Sequence, residues 1–229
     1  MLDRHEVAGS IPARPTSKAT APNCCGFLLK SSIMKKVLLF LPGGFEELEA
    51  TAFTDVMGWS RAHGTYPVAL HTTGLRDTVS SAWGSGMIPS IPFKDADAFG
   101  YDAMAIPGGF ENAGYYEDAF DEKVLEIIRE FNDQQKPIAS VCVGALPLAK
   151  AGVLLNRPAT TYALPRGERR KQLTDLGAIL KDQPLVTDRN IITSDGPATA
   201  LDVAFTLLEM LTDAGNVQKV KKYMRFGRG

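Results

Sequence analysis

After Met34, apolar and polar positions alternate between short strand-like runs and longer helical stretches. Residues 37–41 form an unbroken apolar run, the pattern of a strand buried on both faces. The run stops at Pro42-Gly43-Gly44, a turn signal at the carboxyl end of a strand. Over residues 46–62, Leu48, Ala52, Val56 and Trp59 fall on neighbouring helical faces, acidic residues lead, and Gly64 closes the helix. Residues 66–71 read as a second strand. This opening predicts an α/β fold: a doubly wound, mostly parallel sheet with helices on both faces.

The remaining pattern extends that plan. Residues 78–91 suit a small hairpin beside the sheet. Residues 101–106 form a strand closed by a second Pro-Gly-Gly, Pro107-Gly108-Gly109. Residues 121–135 make a charged amphipathic helix, and residues 138–141 are another short apolar strand. The Ala/Leu-rich stretch after Gly144 is helical and stops at Ala151-Gly152. A short strand over 159–162 and a surface helix over 167–176 follow. Residues 185–187 and 191–193 flank a hairpin turn at Asp188-Arg189-Asn190, residues 198–211 form a buried helix, and residues 217–226 a basic packing helix.

The chain has 229 residues, 45% hydrophobic and 22% charged, with net charge −1, which suits one globular α/β domain. No basic excess draws it to nucleic acid or an anionic membrane, and no apolar run reaches the roughly 18 residues of a membrane span. Residues 1–33 differ in kind: Pro12, Pro15 and Pro22 punctuate a segment without helical or alternating period. They are expected to be a disordered or non-native extension, with residues 34–229 as the single domain. Of the three cysteines, Cys24 and Cys25 are adjacent and Cys142 stands alone, so neither a disulfide framework nor a metal-ligand spacing can be written. No metal or cofactor is called for: the glycines also lack the G-x-G-x-x-G spacing of a dinucleotide site. A reducing cytoplasm is the expected location.

Cys142 ends one predicted parallel strand and opens a helix, where free N–H groups and the helix dipole favour a thiolate. A buried structural cysteine is the plainer alternative. Each Pro-Gly-Gly also ends a predicted parallel strand, so three strand ends converge on the sheet edge where open α/β folds bind ligands. Glycine there allows close backbone approach, although a tight turn alone would also account for it. A histidine base is not at hand: the three histidines are His5, His63 and His71, all ahead of the cysteine, and Tyr162 stands where a later one could arrive. Among Glu46, Glu47 and Glu49, a buried Glu49 could stay protonated and move protons beside the thiol. Equally, these acids could be favourable first-turn charges on a helix.

Gly44-Phe45-Glu46-Glu47-Leu48-Glu49-Ala50, Pro107-Gly108-Gly109, Ser140-Val141-Cys142-Val143-Gly144 and Thr193-Ser194-Asp195-Gly196-Pro197 together resemble the ThiJ/PfpI superfamily, of the class I glutamine amidotransferase-like fold. The glutamate cluster looks most like the parkinsonism-associated deglycase branch, whereas the cysteine segment and Ala159-Thr160-Thr161 are similar to isonitrile hydratases. The resemblance implies a flavodoxin-like sandwich, a homodimer and a reactive Cys142 at a strained elbow with Glu49 as its acidic partner. It further implies backbone N–H groups of Gly109 and Val143 that hold a substrate oxygen, with Gly108 and Gly44 beside them. Tyr162, Asp195 and Trp83 are possible pocket residues. The chain departs from each branch: a histidine is usual at Tyr162 and an arginine at Asp195 in the deglycases, and a threonine at Val143 and an aspartate at Glu49 in the hydratases. The expected partner is therefore a small electrophile such as an aldehyde, converted without a cofactor in a glyoxalase or deglycase reaction. Isonitrile hydration, or a cysteine redox sensor or chaperone, are the alternatives.

Overall fold

The computed structural model of the chain describes residues 34–164 and 168–227. The expectation for residues 1–33, and Gly167 at the head of the surface helix, lie outside the described residues.

The apolar run after Met34 forms β1 (Lys35–Phe40), and the following turn leads into α1 (Glu47–His63) and β2 (Val68–Thr73). A two-stranded antiparallel hairpin, β3 (Val79–Ser80) with β4 (Gly86–Met87), comes next, then β5 (Ala103–Ile106). Beyond it lie α2 (Tyr115–Ala119), α3 (Glu122–Asp133), β6 (Ile138–Ser140), α4 (Ala145–Lys150) and β7 (Pro158–Ala159). The chain continues through α5 (Glu168–Asp175), β8 (Ile179–Leu180), β9 (Leu185–Asp188), β10 (Ile191–Ser194), α6 (Ala200–Leu211) and α7 (Ala214–Tyr223).

The main sheet has the order β2-β1-β5-β6-β10-β9, parallel except for β9, which returns antiparallel to β10. Helices α1, α6 and α7 pack together on one face, and α3 and α4 cover the other. Burial on both faces explains why residues 37–41 carry no polar side chain: each is wholly buried. The chain leaves β1 toward β2 and then resumes at β5 on β1's other side. The strand order therefore reverses between β1 and β5, and both end in Pro-Gly-Gly. Among the described residues, no helix is long and apolar enough to cross a membrane.

Three differences from the sequence pattern have physical causes. First, the buried residues of α1 are Glu49, Ala50, Ala52, Phe53, Val56, Met57 and Ser60, while Leu48 and Trp59 face outward. The helix is thus turned so that a glutamate, not a leucine, points inward. Second, the strand expected over 159–162 ends at Ala159, because Thr160 and Thr161 spend their polar groups elsewhere: Thr160 N–H donates to Thr193 Oγ1 at 3.0 Å and Thr161 Oγ1 to the Cys142 carbonyl at 2.8 Å. Third, β7 pairs in parallel with β8, a two-residue strand too short to leave a periodic trace in sequence.

The carboxyl end of α1 is tied to α7 by one buried amide. Asn216 Oδ1 accepts from the N–H groups of Thr65 (2.6 Å) and Tyr66 (3.1 Å), and its Nδ2 donates to the Tyr66 carbonyl at 3.1 Å. Asn216→Ala would leave these part-buried backbone groups without their side-chain partner and is expected to lower stability by about 1–3 kcal/mol, read from the urea midpoint.

Candidate active site at the carboxyl edge of the sheet

Cys142 leaves β6 with φ of +57°, a left-handed conformation that a side chain adopts at a cost of roughly 1–2 kcal/mol. Neighbouring groups hold it there. Gly144 N–H donates to the Val141 carbonyl at 2.8 Å, and a Cβ on Gly144 would lie 2.7 Å from the Ile106 carbonyl, so only glycine lets the turn seat against β5. The Thr161 hydroxyl takes the Cys142 carbonyl. The strained turn points the thiol into a cavity of about 330 Å³ lined by Glu46, Glu49, Gly109, Phe110, Val143 and Tyr162, among others.

The two Pro-Gly-Gly turns interlock. Glu46 N–H donates to the Gly108 carbonyl at 2.9 Å, Phe110 N–H donates to the Gly44 carbonyl at 3.0 Å, and Phe45 pairs antiparallel with Gly109. This ladder fixes the start of α1 beside the end of β5. Glu46 then caps the helix, its Oε2 accepting from Glu49 N–H at 2.8 Å. The three glutamates consequently have three fates: Glu46 is the cap, Glu47 bonds the Ser81 hydroxyl at the surface side, and Glu49 is fully buried.

Glu49 Oε2 accepts from Gly108 N–H at 2.5 Å, while its Oε1 has no hydrogen-bond partner. A Cβ placed on Gly108 would lie 2.8 Å from both Glu49 Oε2 and Cys142 Cβ, so carboxyl and cysteine flank one point. Burial pushes the Glu49 carboxyl up to about 8, against the pull of the Gly108 N–H, so at neutral pH it is a protonated acid. Burial also raises the Cys142 thiol well above the ordinary thiol range, the nearby Glu49 adds to this, and only the Val143 N–H opposes it. The resting group is therefore a thiol. The thiolate expected from helix position is not favoured, because α4 begins only at Ala145 and Cys142 is just 8% exposed.

The structure brings Cys142, Glu49, Gly109, Val143 and Tyr162 to one cavity. Gly108 adjoins them, but its N–H is committed to Glu49. Gly44 lies outside the lining: its φ is +68° and its N–H donates to the Ser80 carbonyl. Asp195 also stays out, its N–H turned back to the Pro184 carbonyl, while Pro197 from the same segment lines the wall. Trp83 reaches the rim, where its Nε1–H donates to Glu46 Oε1 at 3.2 Å and its ring meets Phe110 edge-on. Sequence reasoning missed Phe110, Glu111, Leu164, Glu168 and Arg169, which also line the cavity. They come from the turn after β5, the segment before α5 and the first turn of α5, with no shared local pattern; only Phe110 and Glu111, directly after a Pro-Gly-Gly turn, carried a usable signal.

A buried acid beside a thiol, with backbone N–H groups in the same wall, can add sulfur to an electrophilic carbon and move protons around it. The glutathione-independent glyoxalase DJ-1 of Schizosaccharomyces pombe is 30% identical over 197 residues, covering 82% of this chain and 97% of that one. An isonitrile hydratase of Pseudomonas putida is 32% identical over 148 residues, covering 65% of this chain and 61% of the hydratase. The crystal structure of Drosophila melanogaster DJ-1beta matches with a TM-score of 0.74 at 25% identity, over 85% of this chain and all of that one (100%). The DJ-1/PfpI family model matches residues 35–210, and the chain belongs to that family.

Proposed function

We propose that the protein is a cofactor-free enzyme that converts 2-oxoaldehydes to 2-hydroxy acids through Cys142 and Glu49. The observation that carries this reading is the meeting of the strained cysteine with a buried, half-satisfied carboxyl at one point of the cavity. The competent form is the pair after loss of one proton. Glu49 carboxylate takes the thiol proton as sulfur bonds to the aldehyde carbon, the C=O electron pair moving to oxygen beside the Gly109 and Val143 N–H groups. The proton returns to that oxygen, giving a hemithioacetal. Glu49 next removes the hydrogen on this carbon as a proton and delivers it to C2, while the hydroxyl proton on the C1 oxygen passes to the C2 oxygen. C1 is thereby oxidised to a thioester while C2 is reduced to an alcohol. Water then cleaves the thioester, releasing the hydroxy acid and regenerating the thiol.

The test follows lactate formed from methylglyoxal. Cys142→Ala is expected to lower kcat by at least about a thousandfold. Because the competent form appears as the carboxyl at about 8 loses its proton, kcat/KM should climb up to about tenfold per pH unit below that value and level off above it. Lactate formation that survives Cys142→Ala, or a profile flat from pH 6 to 9, overturns the reading. Isonitrile hydration through the same two residues is the alternative favoured by the hydratase relative, and formamide from an alkyl isonitrile reports it. A redox sensor fits less well, since a buried neutral thiol reacts slowly with peroxide.

A further inference from the structure

The cavity is much larger than methylglyoxal needs. A three-carbon oxoaldehyde has the bulk of about three waters, at roughly 30 Å³ each, against a space of about 330 Å³. Phe110, Tyr162, Leu164 and Pro197 make up an apolar part of its wall. Leu164 is 65% and Phe110 40% exposed, so two large apolar side chains stand open to solvent at the mouth of a concave site. Phe110 packs edge-on against the Trp83 ring, with centroids 5.0 Å apart. The charges around this wall are unfavourable to an anion. Glu46, Glu111 and Glu168 face one guanidinium among the described lining residues, Arg169, and that is tied to Glu111 at 2.6 Å and stacked on Tyr116.

We infer that the carbonyl compound suited to this site carries an uncharged aromatic or branched alkyl group of about six to eight carbons, seated on Phe110, Tyr162, Leu164 and Pro197. This deepens the oxoaldehyde reading and rests on it for the chemistry. The acidic rim adds a second consequence: the anionic hydroxy-acid product is repelled as it forms, which favours its release.

The experiment has a kinetic arm and a binding arm. Initial rates compare phenylglyoxal with methylglyoxal for the wild-type protein and Leu164→Ala, an exposed position where the fold is not at stake. Phenylglyoxal is expected to show at least about a tenfold higher kcat/KM. Leu164→Ala should raise KM for phenylglyoxal several-fold, and by a larger factor than it raises KM for methylglyoxal. In the binding arm, Cys142→Ala is titrated with acetophenone and with benzoate, and the neutral ketone should bind at least about tenfold more tightly. If methylglyoxal is turned over as well as phenylglyoxal and acetophenone does not bind, the apolar subsite is overturned while the Cys142–Glu49 chemistry stands. If neither oxoaldehyde is turned over but acetophenone binds and Leu164→Ala weakens it, the subsite stands and the oxoaldehyde chemistry falls. Benzoate binding as tightly as acetophenone overturns the charge selection.

Discussion

Glu49→Gln is expected to lower kcat for oxoaldehyde turnover by about 10²–10⁴-fold and, in the same protein, to raise stability above neutral pH. The catalytic loss follows because glutamine neither takes the thiol proton nor carries one between carbons. The stability gain follows from linkage. In the folded protein the carboxyl titrates near 8, whereas its ordinary value is 4.5. Between these values the unfolded chain has released a proton that the folded chain retains, so stability declines as pH rises through the window. The penalty accrues at somewhat over about 1 kcal/mol per pH unit and is complete once pH exceeds the folded value. Glutamine is neutral at every pH and its Oε1 can still accept the Gly108 N–H. Its amide leaves a donor facing the sulfur, a cost that does not vary with pH. The measurement is therefore a slope: urea midpoints of the two proteins at pH 5, 6.5 and 8 should diverge in favour of Glu49→Gln as pH rises. Parallel midpoints would show that the carboxyl ionises in the fold at its ordinary value.

The second large effect belongs to the interlocked turns. Gly44→Ala forces an alanine to φ of +68°, and its Cβ would stand 2.6 Å from the Ala113 carbonyl oxygen and 2.7 Å from Ala113 Cβ. Left-handed strain of about 1–2 kcal/mol and overpacking of about 1–3 kcal/mol add to an expected loss of about 2–5 kcal/mol. Gly109→Ala would drive a methyl group into the Tyr115 ring and the Gly44 carbonyl, with a similar cost. In both variants the ladder that seats Glu46, and through it Glu49, must shift, so activity should fall by more than stability explains. Gly58→Ala is the control. It lies within α1 with nothing inside 4 Å of the added Cβ, and is expected to stabilise by about 0.5–1 kcal/mol. Urea midpoints and oxoaldehyde rates on the three variants check the set. A Gly44→Ala protein as stable as Gly58→Ala would refute the steric account.

The turn of α1 about its axis shows why some of the site was legible and some was not. Periodicity located the helix within a residue at each end, but the apolar positions Leu48 and Trp59 suggested a different inward face from the one the packing selects. An amphipathic pattern reports which stripe is apolar on average; it cannot report that a carboxyl will be drawn inward by a backbone N–H from a distant turn, as Gly108 draws Glu49. The same limit applies to Cys142. Its place at a strand end was visible, yet whether it is ionised depends on how deeply neighbours bury it and on the carboxyl placed beside it.

The chain's own pattern determined the strand runs, the two Pro-Gly-Gly turns, the solitary cysteine and hence the doubly wound sheet, because period, turn chemistry and residue type act over a few neighbouring residues. Tertiary structure alone decided that Glu49 faces the thiol as a neutral acid, that Thr161 holds the Cys142 carbonyl, and that Phe110, Leu164 and Arg169 line one cavity. Those outcomes join segments far apart in sequence. Contacts of that range are set by the packing of whole helices and strands, and so leave no trace in any single stretch of the chain.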